Sequence, residues 1–209
     1  QHVTVTGGAA LAGHRVPPLG AGPVKLVVAD DDLPSPDALA EGMRAARAAM
    51  RPVAVHCVTR VGLAVALAAW RDVGAVDGDR VEHAAVAPPE MIDALVALGV
   101  RVVTQPGFVA TRGDHYLAEV DADDRPHLWR CRSLIEAGIR VAGSTDAPFG
   151  PDDPWTAIAA AVERRAPSGT VLGPAEALTP AAALDLFLGD PDDPGGPPRR
   201  IVPDAPADL

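Results

Sequence analysis

Four residues that can bind a metal ion or move a proton stand in or directly after apolar, strand-like runs. Lys25 lies in PVKLVVAD, His56 in RPVAVHCVTR, His83 in DRVEHAAV, and Asp146 follows the apolar start of RVAGSTDAP. Imidazole nitrogens and carboxylate oxygens are ligands of zinc-like ions, and such an ion lowers the pKa of bound water toward about 7. An aspartate beside that water can accept a proton and deliver it elsewhere. The four residues are therefore candidate metal ligands, and Asp146 is also the candidate catalytic residue.

Each of the four also has a purely structural explanation. Aspartates cap helices and turns, and a buried neutral histidine is often satisfied by one carbonyl oxygen. A lysine in an apolar run can extend its ammonium group to the end of a barrel. What favours the metal site is that the four residues recur in the same kind of segment.

That recurrence predicts the fold. A strand-like run, a metal-capable residue and a helix-like segment repeat at intervals of roughly 30 residues, as expected when about 250 residues form eight strand-helix units. The catalytic groups of such barrels lie at the carboxyl ends of the strands. The sequence therefore predicts an α/β fold, a partial TIM (β/α)8 barrel of about six parallel strands. The arc should be open, with right-handed crossovers.

The predicted strands are residues 2–6, 24–29, 52–58, 80–84, 100–104 and a short run before Ser144. Side chains alternate across a strand, so only one of Glu82 and His83 is expected to face the barrel interior. The imidazole is the better ligand for a zinc-like ion, which favours His83. His2 and His14, in and after the first predicted strand, are expected to be solvated and without function.

Residues 105–125 are predicted to form a long polar loop. Loops of this length at strand ends often line a substrate site, so Phe108, Arg112, His115 and Tyr116 are candidates for shaping a pocket. The barrel is predicted over residues 1–189. Residues 190–209 are predicted to be a linker, rich in Pro, Gly and Asp at its start, and the start of a return to a small β-domain.

Composition limits the class of partner. The 209 residues suit one domain with a sizeable core, and the net charge of −10 disfavours nucleic acid and anionic membranes. No apolar run approaches about 20 residues and no basic, apolar leader stands at the start, so neither a membrane span nor a signal peptide is expected. The two cysteines, Cys57 and Cys131, are too few for a disulfide framework and fit a reducing cytoplasm. A small-molecule substrate is expected, and the oligomeric state is open.

Taken together, these segments resemble the amidohydrolase superfamily of metal-dependent hydrolases, and within it amidohydrolase family 3. PVKLVVAD resembles the family's fourth-strand lysine segment, VAVHCVTR its fifth-strand histidine, VEHAAV its sixth-strand histidine, and GSTDAP its eighth-strand aspartate. VVTQPGF resembles the seventh strand, while LTPAAALDLFL and PDAPADL resemble the C-terminal helix and the return to a small β-domain.

The resemblance implies hydrolysis of a non-peptide amide or cyclic amide bond with one or two divalent metal ions, zinc being the expected one. It implies that Lys25 is the bridging lysine, carboxylated in binuclear members. It further implies that His56 and His83 are metal ligands and that Asp146 is both a ligand and the proton shuttle.

One departure from the family pattern is large. The first-strand His-x-His pair has no counterpart in this sequence, and the pattern predicts six strands rather than eight. The resemblance therefore implies that the chain is the C-terminal portion of a larger enzyme, a barrel with its N-terminal strands missing, and that its partial site could be inactive alone. Two alternatives stay open: a degenerate, non-catalytic barrel fragment that binds a partner, and a mononuclear deaminase of the same superfamily that uses His56, His83 and Asp146 but not Lys25.

Overall fold

The computed structural model describes residues 3–8 and 20–203. Six strands in these ranges form one parallel sheet in sequential order, and helices connect most of them. The strands are β1 (Thr4–Gly7), β2 (Gly20–Val27), β3 (Val53–Cys57), β4 (Arg80–His83), β5 (Arg101–Thr104) and β6 (Val141–Gly143). The predicted partial barrel of parallel strands is confirmed. His2 and His14 lie outside the described residues.

Helices pack on the outer face of the sheet. They are α1 (Pro36–Ala48), α2 (Arg60–Val73), α3 (Pro89–Leu98), α4 (Gly107–Glu119), α5 (Cys131–Glu136), α6 (Pro154–Glu163) and α7 (Pro180–Asp185). Side-chain caps begin several of them. Ser35 accepts a hydrogen bond from the Ala38 amide, and Pro36 follows it at the first position, where no amide hydrogen is needed.

The apolar core lies between these helices and the outer face of the sheet. In β3, Val53, Val55 and Cys57 join this core, whereas His56 between them belongs to the opposite face. The two faces follow from the alternation of side chains along a strand. Both cysteines are free and buried, in line with the sequence prediction.

The predicted loop over residues 105–125 is wrong, because α4 fills most of it. The helix packs Phe108 and Val109 inward and places Gly113 against Ala166, where an added Cβ would come within 2.7 Å of the Ala166 Cβ. A glycine at a close helix contact contributes no apolar side chain to the pattern, so the helical periodicity is hidden in the sequence.

Residues 186–195 pack against the β6 edge of the sheet. The Gly143 amide donates to the Leu186 carbonyl at 2.8 Å. The Asp193 carboxylate pairs with Arg101 and Arg140, which start β5 and precede β6. The division of the chain into residues 1–189 and 190–209 stays a prediction.

No helix in the described ranges is both long enough and apolar enough to cross a membrane.

Candidate metal centre

Lys25 and His56 lie on the same face of the sheet. In the parallel register Lys25 is paired with Ala54, two residues before His56, and side chains two residues apart share a face. This is the face opposite the helix-packed core. The register of β2 and β3 therefore places the Lys25 and His56 side chains on the same side of the sheet.

The His83 ring also lies beside His56, but strand alternation does not account for its position. Its register partner is Cys57, so simple alternation would direct it to the outer core with that cysteine. His83 instead has φ of 78° and Ala84 has φ of 47°, both in the left-handed region that residues other than glycine rarely adopt. The two imidazole rings end 4.3 Å apart between centroids in an edge-to-face arrangement. Such local strain at a strand end is typical of functional sites.

The prediction that only one of Glu82 and His83 faces the interior is therefore wrong. Glu82 is the register partner of His56 and shares its face, and it pairs with Arg80 at 2.7 Å. Alternation breaks at His83 because its backbone turns left-handed, so both side chains lie on the inner side. The sequence analysis did not include Glu82 in the site. The signal that could have indicated it is Arg80, a possible ion-pair partner two residues earlier and therefore on the same face of the strand.

Burial keeps both imidazoles neutral. It is the main cause that lowers the pKa of His83 to about 4, and the nearby His56 and Lys25 lower it further. Burial and the Lys25 charge also lower the pKa of His56. A neutral imidazole has a free nitrogen lone pair at pH 7, which is the form that binds a metal ion.

Lys25 is half-buried, and burial lowers the pKa of its ammonium group. The negative charge of Glu82 raises this pKa and partly offsets the effect of burial. No hydrogen bond or ion pair joins its side chain to another residue in the described part of the chain. A lowered pKa increases the fraction of neutral, reactive amine.

Asp146 follows β6 and has a left-handed φ of 54°. Its carbonyl accepts hydrogen bonds from the amides of Phe149 and Gly150, which close a tight turn. Arg112 of α4 holds this turn by donating to the Phe149 carbonyl at 2.9 Å while its guanidinium lies 4.6 Å from the Phe108 ring centroid.

Burial raises the pKa of Asp146, and the positive charges of Lys25 and His56 oppose that effect. The electrostatic influence of Lys25 reaches His56, His83 and Asp146, so the four predicted residues lie in one region. Within residues 3–8 and 20–203, however, no three His, Cys, Asp or Glu side chains are grouped closely enough to hold a metal ion. The two neutral imidazoles fit a zinc-like ion, but they form only part of a ligand set.

The four candidates for a pocket wall all lie on α4, but their surroundings differ. Phe108 is buried and packs on Trp129, Tyr116 also packs on Trp129, and His115 is exposed. Arg112 contacts the turn of Asp146 through the Phe149 carbonyl, and the Phe108 ring lies beside Gly150 of the same turn.

The low pKa of His83 predicts a loss of stability in acid. The unfolded histidine titrates near 6.5, so between that pH and about 4 the unfolded chain binds more protons than the folded chain. The free energy of unfolding should therefore fall by up to about 3 kcal/mol as the pH drops through this window. Urea unfolding between pH 7 and 4 measures it. The same series on His83→Gln should be flatter, and equal slopes for the two proteins would contradict the assignment.

Comparison with known proteins agrees with this fold. Residues 23–209 match the model of the amidohydrolase family. Among curated relatives, the chain is 30% identical over 113 residues to an N-substituted formamide deformylase of Arthrobacter pascens, covering 54% of this chain and 21% of that protein. It is 29% identical over 150 residues to the putative amidohydrolase YtcJ of Bacillus subtilis (strain 168), covering 69% of this chain and 28% of that protein.

A solved structure has a similar fold. An uncharacterized metal-dependent hydrolase from Pyrococcus horikoshii OT3 superposes with a TM-score of 0.75 at 24% identity, over 89% of this chain and 44% of that one. The chain thus spans less than half the length of these relatives. The family match covers most of its own residues, and the chain belongs to the amidohydrolase family.

Proposed function

We propose that this chain carries part of the active site of a metal-dependent hydrolase that cleaves a non-peptide carbon-nitrogen bond of a small amide or cyclic amide. The observation that carries the proposal is the pair of neutral imidazoles, His56 and His83, side by side at neighbouring strand ends of an amidohydrolase-family chain. The deformylase relative makes an N-substituted formamide the first substrate to test.

His56, His83 and Asp146 would hold a divalent ion, zinc being the proposed one, with Lys25 as a further, bridging ligand after carboxylation. When bound, the ion supplies a water of lowered pKa and polarises the carbonyl oxygen. Burial lowers the pKa of Lys25, which favours the neutral amine that carboxylation requires.

Asp146 is the proposed proton carrier. Its carboxylate accepts a proton from the attacking water and delivers it to the departing nitrogen, first as general base and then as general acid. Its pKa is raised by burial, which makes the carboxylate a better proton acceptor than an exposed aspartate.

Metal content tests this proposal. Metal-free chain supplied with Zn²⁺ should retain one or two ions per chain after removal of excess metal. His83→Ala should weaken zinc binding by at least about 100-fold, because truncation removes a ligand rather than a supporting contact. His115→Ala, which changes an exposed histidine, is the matched control and should bind as the unchanged protein does.

The number of ions separates the alternatives. Two ions favour the binuclear site with Lys25, and one ion favours the mononuclear site of His56, His83 and Asp146. The non-catalytic alternative is supported by the absence of a group of three metal-binding side chains in the described ranges. Zinc that binds equally well to His83→Ala would contradict the proposed site.

A cytoplasmic location and a partner limited to a small-molecule substrate remain part of the proposal.

A further inference from the structure

Gln105 directly follows β5, next to the strand that ends in His83, and its side chain is almost completely buried, with 2% of the residue exposed. Its Nε2 donates a hydrogen bond to the Val103 carbonyl at 3.3 Å. That contact fixes the orientation of the amide, because the end bound to a carbonyl must be the nitrogen.

The other end of this amide lacks a partner. Oε1 of Gln105 is buried and accepts no hydrogen bond of good geometry in the part of the chain described. A buried acceptor without a donor is unfavourable and calls for an explanation. His83 is the candidate donor, because it ends β4, the strand paired with β5, and its side chain interacts with that of Gln105.

We propose that Gln105 is a positioning residue whose Oε1 accepts the single N–H of neutral His83, so that the other ring nitrogen is left free to bind the metal ion. This inference rests on the proposed role of His83 as a ligand. Metal-binding histidines usually donate their second ring nitrogen to a carbonyl or carboxylate, which fixes both tautomer and ring orientation.

The backbone explains why His83 needs such support. Two successive left-handed residues, His83 and Ala84, turn the ring away from the face that alternation would give it. The ring is then oriented by the side chains around it, and Gln105 supplies an acceptor fixed by its own bond to Val103. A glutamine does not titrate, so this acceptor is the same at every pH.

Thr104 provides a matched control. Like Gln105 it is almost fully buried, and its Oγ1 also has no hydrogen-bond partner among the described residues. It precedes Gln105, so its side chain projects to the opposite face of the strand. Thr104→Val removes a buried, unpaired hydroxyl and is not expected to lower the melting temperature, whereas Gln105→Leu also removes the hydrogen bond to Val103 and the proposed one to His83. Only Gln105→Leu should affect His83.

The experiment compares these two variants with the unchanged chain by two readouts. In the metal-free chain, the ¹⁵N resonances of the His83 ring, identified by their loss in His83→Gln, should show one tautomer. Gln105→Leu should give a mixture of tautomers, and Thr104→Val should not. Zinc titration should show a 10- to 100-fold weaker affinity in Gln105→Leu and an unchanged affinity in Thr104→Val.

A Gln105→Leu variant that keeps the single tautomer would overturn the inference. If Gln105→Leu does not fold, Gln105→Met, which is unbranched and of similar length, takes its place with the same expectations. If the unchanged chain binds no zinc, the proposed function fails, while the ring resonances of the metal-free protein still decide the role of Gln105.

Discussion

Replacing Asp146 with Asn is expected to reduce the proposed hydrolysis by the metal-loaded protein about 10²- to 10⁴-fold, or roughly 3 to 5 kcal/mol in activation free energy. Asn keeps the shape of the side chain and its turn, in which the Asp146 carbonyl accepts from Phe149 and Gly150, but it cannot accept and return a proton. The measurement is kcat with an N-substituted formamide. The structure should survive, because the hydrogen bonds of the turn use the backbone.

Two controls make this result specific. Asp152→Asn alters an exposed carboxylate on the same connection and should leave turnover nearly unchanged. Bound zinc must be measured in each preparation, since Asp146 is also a proposed ligand and lost metal would mimic lost proton transfer. Full activity of Asp146→Asn with normal zinc content would rule out the proposed proton carrier.

Much of the scaffold could be predicted from the sequence because its strands are short apolar runs separated by capped helices. The pattern that places Lys25 and His56 on one face depends only on alternation and on the parallel register of β2 and β3. Alternation and the pairing of neighbouring strands follow from the apolar pattern of each strand, which can be recognised in the sequence.

The details of the site could not be predicted in the same way. The position of His83 depends on a left-handed backbone at two non-glycine residues, which no residue type in VEHAAV requires. The helix α4 was missed because Gly113 occupies its closest contact with Ala166. Gln105 follows a predicted strand as an ordinary polar residue, and only its burial and its unpaired Oε1 single it out. All three depend on contacts between segments distant in sequence.

Asp79, which the sequence analysis did not single out, is expected to be the most important carboxylate for stability. It precedes β4, only 1% of the residue is exposed, and its side chain joins three elements. Oδ2 accepts from Trp70 Nε1 of α2 and from Arg47 of α1, both at 2.9 Å. Oδ1 accepts from the amide of Val53 in β3 at 2.8 Å.

Asp79→Ala should lower the free energy of unfolding by about 3 to 5 kcal/mol, because it leaves a buried indole N–H, a strand amide and the mostly buried Arg47 guanidinium without their acceptor. Asp79→Asn should have a smaller effect, since its amide oxygen can still accept from one or two of these donors. Urea denaturation of the metal-free chain measures both variants. Asp72→Ala is the matched control, because Asp72 pairs with Arg44 at the surface and such pairs contribute about 0 to 1 kcal/mol. If Asp79→Ala unfolds at the same urea concentration as Asp72→Ala, the carboxylate does not join α1, α2 and β3 as its hydrogen bonds indicate.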